Sequence, residues 1–172
     1  ARTAGRHLSE RLFVAVWPAD DVLEVIAALP RPSLPGVRWT SRDQWHVTLR
    51  FLGDAGVDEV TGALGRVRAA PTEAALGPRT HRLGRGVLCV PITGLDDLAA
   101  AVIDATATTG EPPDHRTFRG HLTLARVEGR TKPPLVDLPP RRWTVATFAL
   151  VRSHLGGGPA RYETVTTWNL DG

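Results

Sequence analysis

Hydrophobic and polar positions alternate along the chain with two periods, one typical of strands and one typical of helices. Helical spacing of apolar residues predicts three helices, at about 20–29, at about 57–69, and from Leu95 to a stop at Gly110. Shorter apolar runs predict strands at 11–17, 37–40, 45–52, 85–91, 118–127, 143–152 and 161–169. A helix therefore lies between strands in each half of the chain, and the pattern predicts an α+β fold.

Three stretches between these elements are rich in proline, glycine and arginine, namely 71–86, 110–117 and 129–142. This composition predicts surface loops. A loop of this kind can rim a binding groove and select its ligand, and it can equally be a plain connector. The sequence leaves both roles open.

One four-residue pattern occurs twice, as His46–Leu49 and His121–Leu124, and the two copies start 75 positions apart (121 − 46). Side chains in a strand alternate between faces, so the histidine and threonine of each copy point one way and the apolar residues point the other. A lone histidine in a half-buried strand is usually structural, but its recurrence with threonine favours a function. If the copies come from matching halves of one fold, two His/Thr pairs face each other across a cleft. They could then hold a phosphate and move protons on both sides of it.

Composition limits the class of protein. At 172 residues the chain is long enough for one sizeable core, and no apolar run approaches the roughly 20 residues that span a bilayer. Residues 1–7 are polar and basic with no signal-peptide core after them, so we expect a cytoplasmic protein without a membrane partner. The single cysteine, Cys89, lies in an apolar run and is expected to be buried, and it cannot form an intrachain disulfide.

The charged residues are informative mainly through their type. Of the 21 basic residues, only Lys132 is a lysine, and guanidinium groups bind phosphates in a bidentate manner and stack on bases. A GC-rich genome would produce the same bias. Because the formal net charge is only +3, the chain is a weak candidate for binding a long stretch of nucleic acid backbone.

With their flanks, the two motifs resemble the signature of the 2H phosphoesterase superfamily. Within it they resemble the bacterial and archaeal RNA 2′,3′-cyclic phosphodiesterases, also called 2′-5′ RNA ligases. The resemblance runs nearly end to end, through residues 11–16, 37–39, 46–53, 118–126, 151–155 and 161–163. The family usually has proline before the second histidine, where this chain has Gly120, so a looser start of that strand is expected.

The resemblance implies a fold with two lobes. These form a pseudo-twofold duplication in which two antiparallel β-sheets line a central groove and the helices lie outside. It also implies a single domain over residues 1–172, with 1–10 as a loose N-terminus. We expect this domain to be a monomer.

The resemblance also gives each motif side chain a role. Hydrolysis of a 2′,3′-cyclic phosphate needs a base that deprotonates the attacking water and an acid that protonates the departing ribose oxygen. His121 is implied to be the proton acceptor and His46 the proton donor, although the two motifs alone do not distinguish these roles. Thr48 and Thr123 are expected to donate hydrogen bonds to the non-bridging phosphate oxygens.

An arginine is expected to bind the charge that grows on the phosphate. Arg126 follows the second motif as in the family, but it lies five positions after His121, so a bulge or the strand end must turn it toward the groove. Arg50 is the alternative. It lies four positions after His46, so in a regular strand both side chains are on the same face. For both, a surface or salt-bridge role stays open.

No metal-ligand cluster or phosphate-binding glycine-rich loop accompanies the motifs, so catalysis without a metal or cofactor is expected.

The implied activity is hydrolysis of RNA 2′,3′-cyclic phosphate ends to a 2′-phosphate, with 2′-5′ RNA ligation as the reverse reaction. A second hypothesis keeps the site and changes the substrate to a small cyclic nucleotide, an ADP-ribose cyclic phosphate or a 2′-5′ oligonucleotide. A third, a non-catalytic RNA-end-binding module, is disfavoured because binding alone would tolerate arginine or lysine in place of the histidines. The aromatic residues near the motifs that could stack on a base are Trp45, Phe51 and Phe118.

Overall fold

The computed structural model describes residues 10–171, and the predicted loose terminus lies outside them except for Glu10, which begins the first strand. Within these residues the chain forms three α-helices, one 3₁₀-helix and ten β-strands. The helices are α1 (Asp20–Ala27), α2 (Val57–Leu64) and α3 (Asp96–Ala105), and the 3₁₀-helix is Arg42–Gln44. The strands are β1 (Glu10–Val16), β2 (Val37–Trp39), β3 (Val47–Ala55), β4 (Thr72–Leu76), β5 (His81–Leu83), β6 (Val87–Thr93), β7 (His121–Val127), β8 (Arg141–Val145), β9 (Thr147–His154) and β10 (Arg161–Asn169). None of the helices in this part of the chain is long and apolar enough to cross a membrane.

The strand order has the two motif strands, β3 and β7, at its centre and three further strands on each side. The path runs β10-β9-β1-β3-β7-β6-β4-β8, with β2 added to β7 and β5 added to β6, and these strands all pair antiparallel. The central strands are β3, which begins at Val47 directly after His46, and β7, which contains the second motif. They pair at one position, Val47 with Leu122. Helix α1 lies between β1 and β3 in the chain, and α3 lies between β6 and β7. The predicted α+β fold with two antiparallel lobes is confirmed.

The apolar positions of both motifs lie in the core. Val47, Leu49, Leu122 and Leu124 are at most 3% exposed, and they pack in one cluster with buried residues of all three helices. Burying a side chain of this size contributes roughly 1.5–3 kcal/mol, and a register slip of one residue would turn these side chains outward. The core therefore fixes which face of the sheet the motif histidines and threonines occupy.

Cys89 is buried as predicted, and burial raises the pKa of its thiol to about 11.

Strand β3 contains a β-bulge at Leu49, the last residue of its motif. Its pairing with β1 skips Leu49 between Thr48 and Arg50, so β3 has one extra residue there. The extra residue reverses the alternation of faces. As a result Arg50 is buried, and the next residue, Phe51, is exposed.

Strand β7 contains a bulge at the equivalent place. Its pairing with β6 skips Leu124 between Thr123 and Ala125. Ala125 is buried and Arg126 is exposed. The bulge that the assignment of Arg126 requires is therefore present, and in both strands the residue five positions after the histidine faces the groove side.

The structure differs from the predicted elements in several places. Helix α3 ends at Ala105, before the predicted stop at Gly110. The predicted loop 71–86 contains β4 and β5. The sequence of β4, TEAAL, has little strand propensity, but this strand pairs with both β6 and β8, and that tertiary pairing overrides local preference. The predicted helix 57–69 ends at Leu64. The predicted strand 143–152 is two strands, β8 and β9, which separate at Ala146.

The β3 bulge places Arg50 in the interior, which corrects the expectation that this arginine faces the groove and contacts a phosphate. Its guanidinium donates hydrogen bonds to the carbonyl oxygens of Phe51 (2.7 Å), Thr109 (3.2 Å) and Glu111 (2.7 Å). It also donates to the Thr106 hydroxyl at 3.3 Å. These bonds connect β3 to the segment that follows α3.

We expect Arg50→Ala to lower the free energy of unfolding by about 2–4 kcal/mol, because several carbonyl oxygens lose their donor and a buried side chain leaves a cavity. Urea unfolding followed by circular dichroism measures this loss. The matched control is Arg38→Ala on β2, whose side chain is exposed, and it should cost less than about 1 kcal/mol. Equal losses in the two variants would contradict the structural role of Arg50.

Candidate active site

A groove of about 720 Å³ lies along the line where β3 and β7 meet. All four polar motif side chains, His46, Thr48, His121 and Thr123, line it. Further walls come from β1 and β2, the 3₁₀-helix, and the turn between β9 and β10. The structure thus brings together two His/Thr pairs that are distant in the sequence.

The imidazole of His46 is held by two hydrogen bonds. Its Nδ1 lies 2.7 Å from the Gln44 carbonyl oxygen, and its Nε2 lies 3.0 Å from the Thr48 hydroxyl. A carbonyl oxygen can only accept, so Nδ1–H is the donor in the first bond. In the neutral imidazole, Nε2 then accepts a hydrogen bond from Thr48. This leaves Nε2 as the atom that exchanges a proton with the groove.

His121 is oriented in the same way. Its Nδ1–H donates to the Arg119 carbonyl oxygen at 2.8 Å. In each motif the accepting carbonyl therefore belongs to the residue two positions before the histidine. Both imidazoles have Nδ1 occupied by the backbone, so both offer Nε2 for proton transfer.

The ring of His46 sits among aromatic side chains that the sequence did not identify as part of the site. The distances between ring centroids are 4.8 Å to Phe13, 5.1 Å to Tyr162 and 5.7 Å to Trp17. Phe13 precedes the motif by more than thirty residues, and Tyr162 comes from β10. The pairing of β1 with β3 and β9 brings Phe13 to His46, and the pairing of β9 with β10 brings Tyr162.

This environment lowers the pKa of His46. Burial is the largest cause, and it is opposed by the hydrogen bond to the Gln44 carbonyl, which raises the pKa. The positive charges of His121 and Arg126 lower it further. In the absence of a bound anion, His46 is therefore biased toward its neutral form.

Among the described residues, three arginines line the groove: Arg11, Arg38 and Arg126. Arg38 lies directly opposite Arg126 in the pairing of β2 with β7, and the Arg11 guanidinium lies 5.1 Å from the centroid of the Phe51 ring. Sequence reasoning identified only Arg126. Arg38 stands between two apolar residues of a predicted strand, which is a signal for an outward side chain, but its strand partner cannot be read from the sequence.

Of the three aromatic residues noted beside the motifs, only Phe51 lines the groove, where it is 42% exposed. Trp45 is buried and donates its indole N–H to the Thr40 hydroxyl at 3.0 Å. Phe118 is partly buried against the core. The β3 bulge explains why Phe51 differs from the other two, because it turns that side chain to the groove side.

Gly120 lies where two backbone segments approach closely. A Cβ atom at this position would lie 2.3 Å from the Ile92 carbonyl oxygen, and the Ile92 N–H donates to the Gly120 carbonyl oxygen at 2.9 Å. Proline or any other residue with a side chain would clash unless β6 moved. The start of β7 is therefore closely packed, which corrects the expectation of a looser strand start.

The groove combines two imidazoles, two hydroxyl groups and a guanidinium. Two imidazoles can act as acid and base near neutral pH, and hydroxyl and guanidinium donors can stabilise an anion between them. Among residues 10–171, no group of three or more His, Cys, Asp or Glu side chains is arranged to hold a metal ion. The arrangement suits proton transfer on both sides of an anionic ester.

Comparisons with known proteins agree with this chemistry. Residues 16–77 match the family described as LigT like Phosphoesterase. The chain is 27% identical over 181 aligned positions to the RNA 2′,3′-cyclic phosphodiesterase of Geobacillus stearothermophilus, and the alignment covers 93% of the chain and 57% of that protein. The chain therefore spans little more than half the length of this curated relative.

Solved structures share the fold over almost the whole chain. A crystal structure of a Thermus thermophilus protein superposes with a TM-score of 0.79 at 28% identity, covering 93% of this chain and 97% of the other. The crystal structure of E. coli LigT complexed with 3′-AMP superposes with a TM-score of 0.75 at 26% identity, covering 94% and 98%.

We expect Arg126→Gln to raise the pKa of His46, because it removes a positive charge that disfavours the imidazolium. A titration of the imidazole nitrogens by NMR measures this pKa. Arg11→Gln removes the same charge from another exposed arginine of the groove, which is not among the causes of the His46 shift, and should leave the His46 titration nearly unchanged. If both substitutions moved the titration equally, the effect would come from overall charge and not from Arg126.

Proposed function

We propose that the chain is a LigT-like phosphoesterase of the 2H superfamily and that it hydrolyses the 2′,3′-cyclic phosphate ends of RNA to 2′-phosphates. The observation that carries this proposal is that two His/Thr pairs line one groove. The Nδ1–H of each histidine donates to a backbone carbonyl oxygen. This arrangement leaves two Nε2 atoms for the acid and the base.

In the proposed reaction, a water oxygen attacks phosphorus while the bond from phosphorus to the ribose 3′-oxygen breaks. Nε2 of His121 takes a proton from the water, and Nε2–H of His46 gives a proton to the departing 3′-oxygen. Exchange of both protons with solvent restores the starting state. The polarity of the two histidines follows the family resemblance, because their backbone contacts are equivalent.

The lowered pKa of His46 fits a donor that becomes charged only with substrate. A phosphodiester anion in the groove favours the imidazolium and so opposes the effects of burial and of Arg126. Once Nε2 is protonated, it no longer accepts the hydrogen bond from Thr48. The hydroxyl of Thr48 is then free to donate to a phosphate oxygen.

Thr48, Thr123 and Arg126 are the proposed phosphate-binding side chains. All three line the groove beside the histidines. Donors that are already oriented toward an oxygen on which negative charge grows stabilise the transition state more than the ground state. Arg126 adds a full positive charge, which the hydroxyl groups lack.

A small cyclic nucleotide is the second candidate substrate. A groove of about 720 Å³ is in the size range of sites that bind small ligands, and E. coli LigT has been crystallised with 3′-AMP. The reverse reaction, which joins a 5′-hydroxyl to the cyclic phosphate through a 2′-5′ bond, uses the same two proton transfers by microscopic reversibility. In dilute solution, hydrolysis is expected to prevail.

We expect turnover of oligoribonucleotides that end in a 2′,3′-cyclic phosphate, and we expect it to persist in excess EDTA, because two imidazoles supply both proton transfers. Product analysis by chromatography and phosphatase sensitivity identifies the terminal 2′-phosphate. Loss of activity on chelation, with recovery on addition of a divalent metal, would contradict the metal-independent mechanism. A 3′-phosphate as the sole product would contradict the proposed leaving group.

The two histidines should separate in an assay with a good leaving group. On a natural cyclic phosphate, His46→Ala and His121→Ala should each lose about 10²- to 10⁴-fold in rate. With a nucleotide p-nitrophenyl phosphodiester, the departing phenolate needs little protonation, so His46→Ala should recover much of its lost rate and His121→Ala should not.

His81→Ala, which removes an exposed histidine of β5 outside the groove, is the control and should retain full activity on both substrates. Rescue of His121→Ala in place of His46→Ala would reverse the acid and base assignments. Rescue of neither variant, although both fold and bind, would contradict the division into one acid and one base.

A further inference from the structure

A second cavity, of about 550 Å³, lies between the turn of the β5–β6 hairpin and the segment that follows β7. Four basic side chains line it: Arg82 and Arg85 from the hairpin, and Arg130 and Lys132 from the segment after β7. Apolar side chains, among them Leu88 and Val127, form the rest of its wall. We call this cavity the basic pocket.

The charge of the basic pocket is not neutralised within the described part of the chain. Arg42, Arg79, Arg116 and Arg152 form ion pairs with carboxylates, but within residues 10–171 none of the four basic side chains of the pocket does so. An anionic ligand would therefore meet positive charge that has no protein partner to displace.

Arg82 shows that the pocket is built into the fold. Its Nη2 donates to the Pro133 carbonyl oxygen at 2.7 Å and so holds the hairpin against the segment after β7. Its Nε is buried and has no hydrogen-bond partner among the residues described. A buried N–H of this kind is costly unless a ligand or water accepts its hydrogen bond.

The basic pocket adjoins the groove through Val87, which lines both cavities. Val87 lies opposite Arg126 in the pairing of β6 with β7, and opposite Leu83 in the pairing of β5 with β6. Because neighbouring strands lie about 5 Å apart, β6 is one strand spacing and β5 about two strand spacings from Arg126. Arg82 and Leu88 pair with each other and face the opposite side of the sheet from Val87 and Arg126. A ligand that leaves the groove at Val87 therefore reaches the basic pocket around the hairpin turn, past Arg85.

We propose that the basic pocket binds an internucleotide phosphate of an RNA chain whose cyclic phosphate end lies between the two histidines. This rests on the proposed function and narrows its substrate to an RNA chain end, not a free mononucleotide. A nucleoside 2′,3′-cyclic phosphate has one phosphate group, and the motif residues already account for it. A second unneutralised cationic site beside the groove matches a substrate with further phosphates on the 5′ side of its terminal nucleotide.

The test compares three substrates: a nucleoside 2′,3′-cyclic phosphate, the same compound with a 5′-phosphate, and a short oligoribonucleotide with the same end. In Arg85→Gln/Arg130→Gln, KM for the oligoribonucleotide should rise about 10-fold, because two exposed phosphate contacts are lost. The dependence of log(kcat/KM) on log salt should also become shallower by about 1. Kinetics on the nucleoside cyclic phosphate should stay unchanged.

Arg141→Gln/Arg142→Gln is the matched control, because it removes two exposed arginines of β8 that line neither cavity. Equal KM increases in the two double variants, or no increase in either, would overturn the proposed subsite. A full KM increase with the 5′-phosphorylated mononucleotide would show that the pocket binds a terminal phosphate, and this too would overturn binding of an RNA chain.

Failure of the proposed function gives a different result, because wild-type protein would then turn over none of the three substrates. In that case, fluorescence anisotropy with a labelled oligoribonucleotide that ends in a 3′-phosphate compares the same two double variants. A Kd that rises about 10-fold only in Arg85→Gln/Arg130→Gln would support phosphate binding in the basic pocket independently of catalysis. Equal affinities would overturn it.

Discussion

The organisation of the molecule depends on one antiparallel contact, the pairing of Val47 in β3 with Leu122 in β7. Both side chains are fully buried, and each directly follows a motif histidine in the chain. Because neighbouring side chains in a strand point to opposite faces, burial of this pair turns His46 and His121 into the groove. Together with the pairing of β2 with β7, this contact joins the two lobes and brings the two histidines to one groove.

The two equivalent bulges turn chemically different side chains toward the groove. In each, the motif leucine is the extra residue, and the fifth residue after the histidine turns toward the groove. This residue is Phe51 in one lobe and Arg126 in the other. Arg126 belongs to the lobe of His121, and its charge acts on His46 in the opposite lobe. A pseudo-symmetric backbone thus produces a site in which one histidine is packed among aromatic rings and influenced by a guanidinium from across the groove.

The charge of the protein is concentrated where the proposed substrate would lie. The formal net charge of the chain is only +3, yet three arginines line the groove and four further basic side chains line the basic pocket beside it. Cationic side chains placed in concave surfaces raise the local concentration of anions more effectively than the same charge spread over the molecule. Much of this charge belongs to segments whose composition predicted loops, and in the proposed complex these segments would contact the substrate as well as connect strands.

The sequence by itself determined the two His/Thr pairs and the burial of their apolar neighbours, because the alternation of faces in a strand depends only on adjacent residues. It also indicated the α+β order of elements. It could not decide between Arg50 and Arg126, because the bulges that bury one and expose the other arise where β3 and β7 pair with β1 and β6. Nor could it place β4 in the sheet, whose sequence favours no strand, or bring the β5–β6 hairpin beside the segment after β7. These features were decided by the tertiary structure, since pairing between strands distant in the chain leaves no periodic signal in either one.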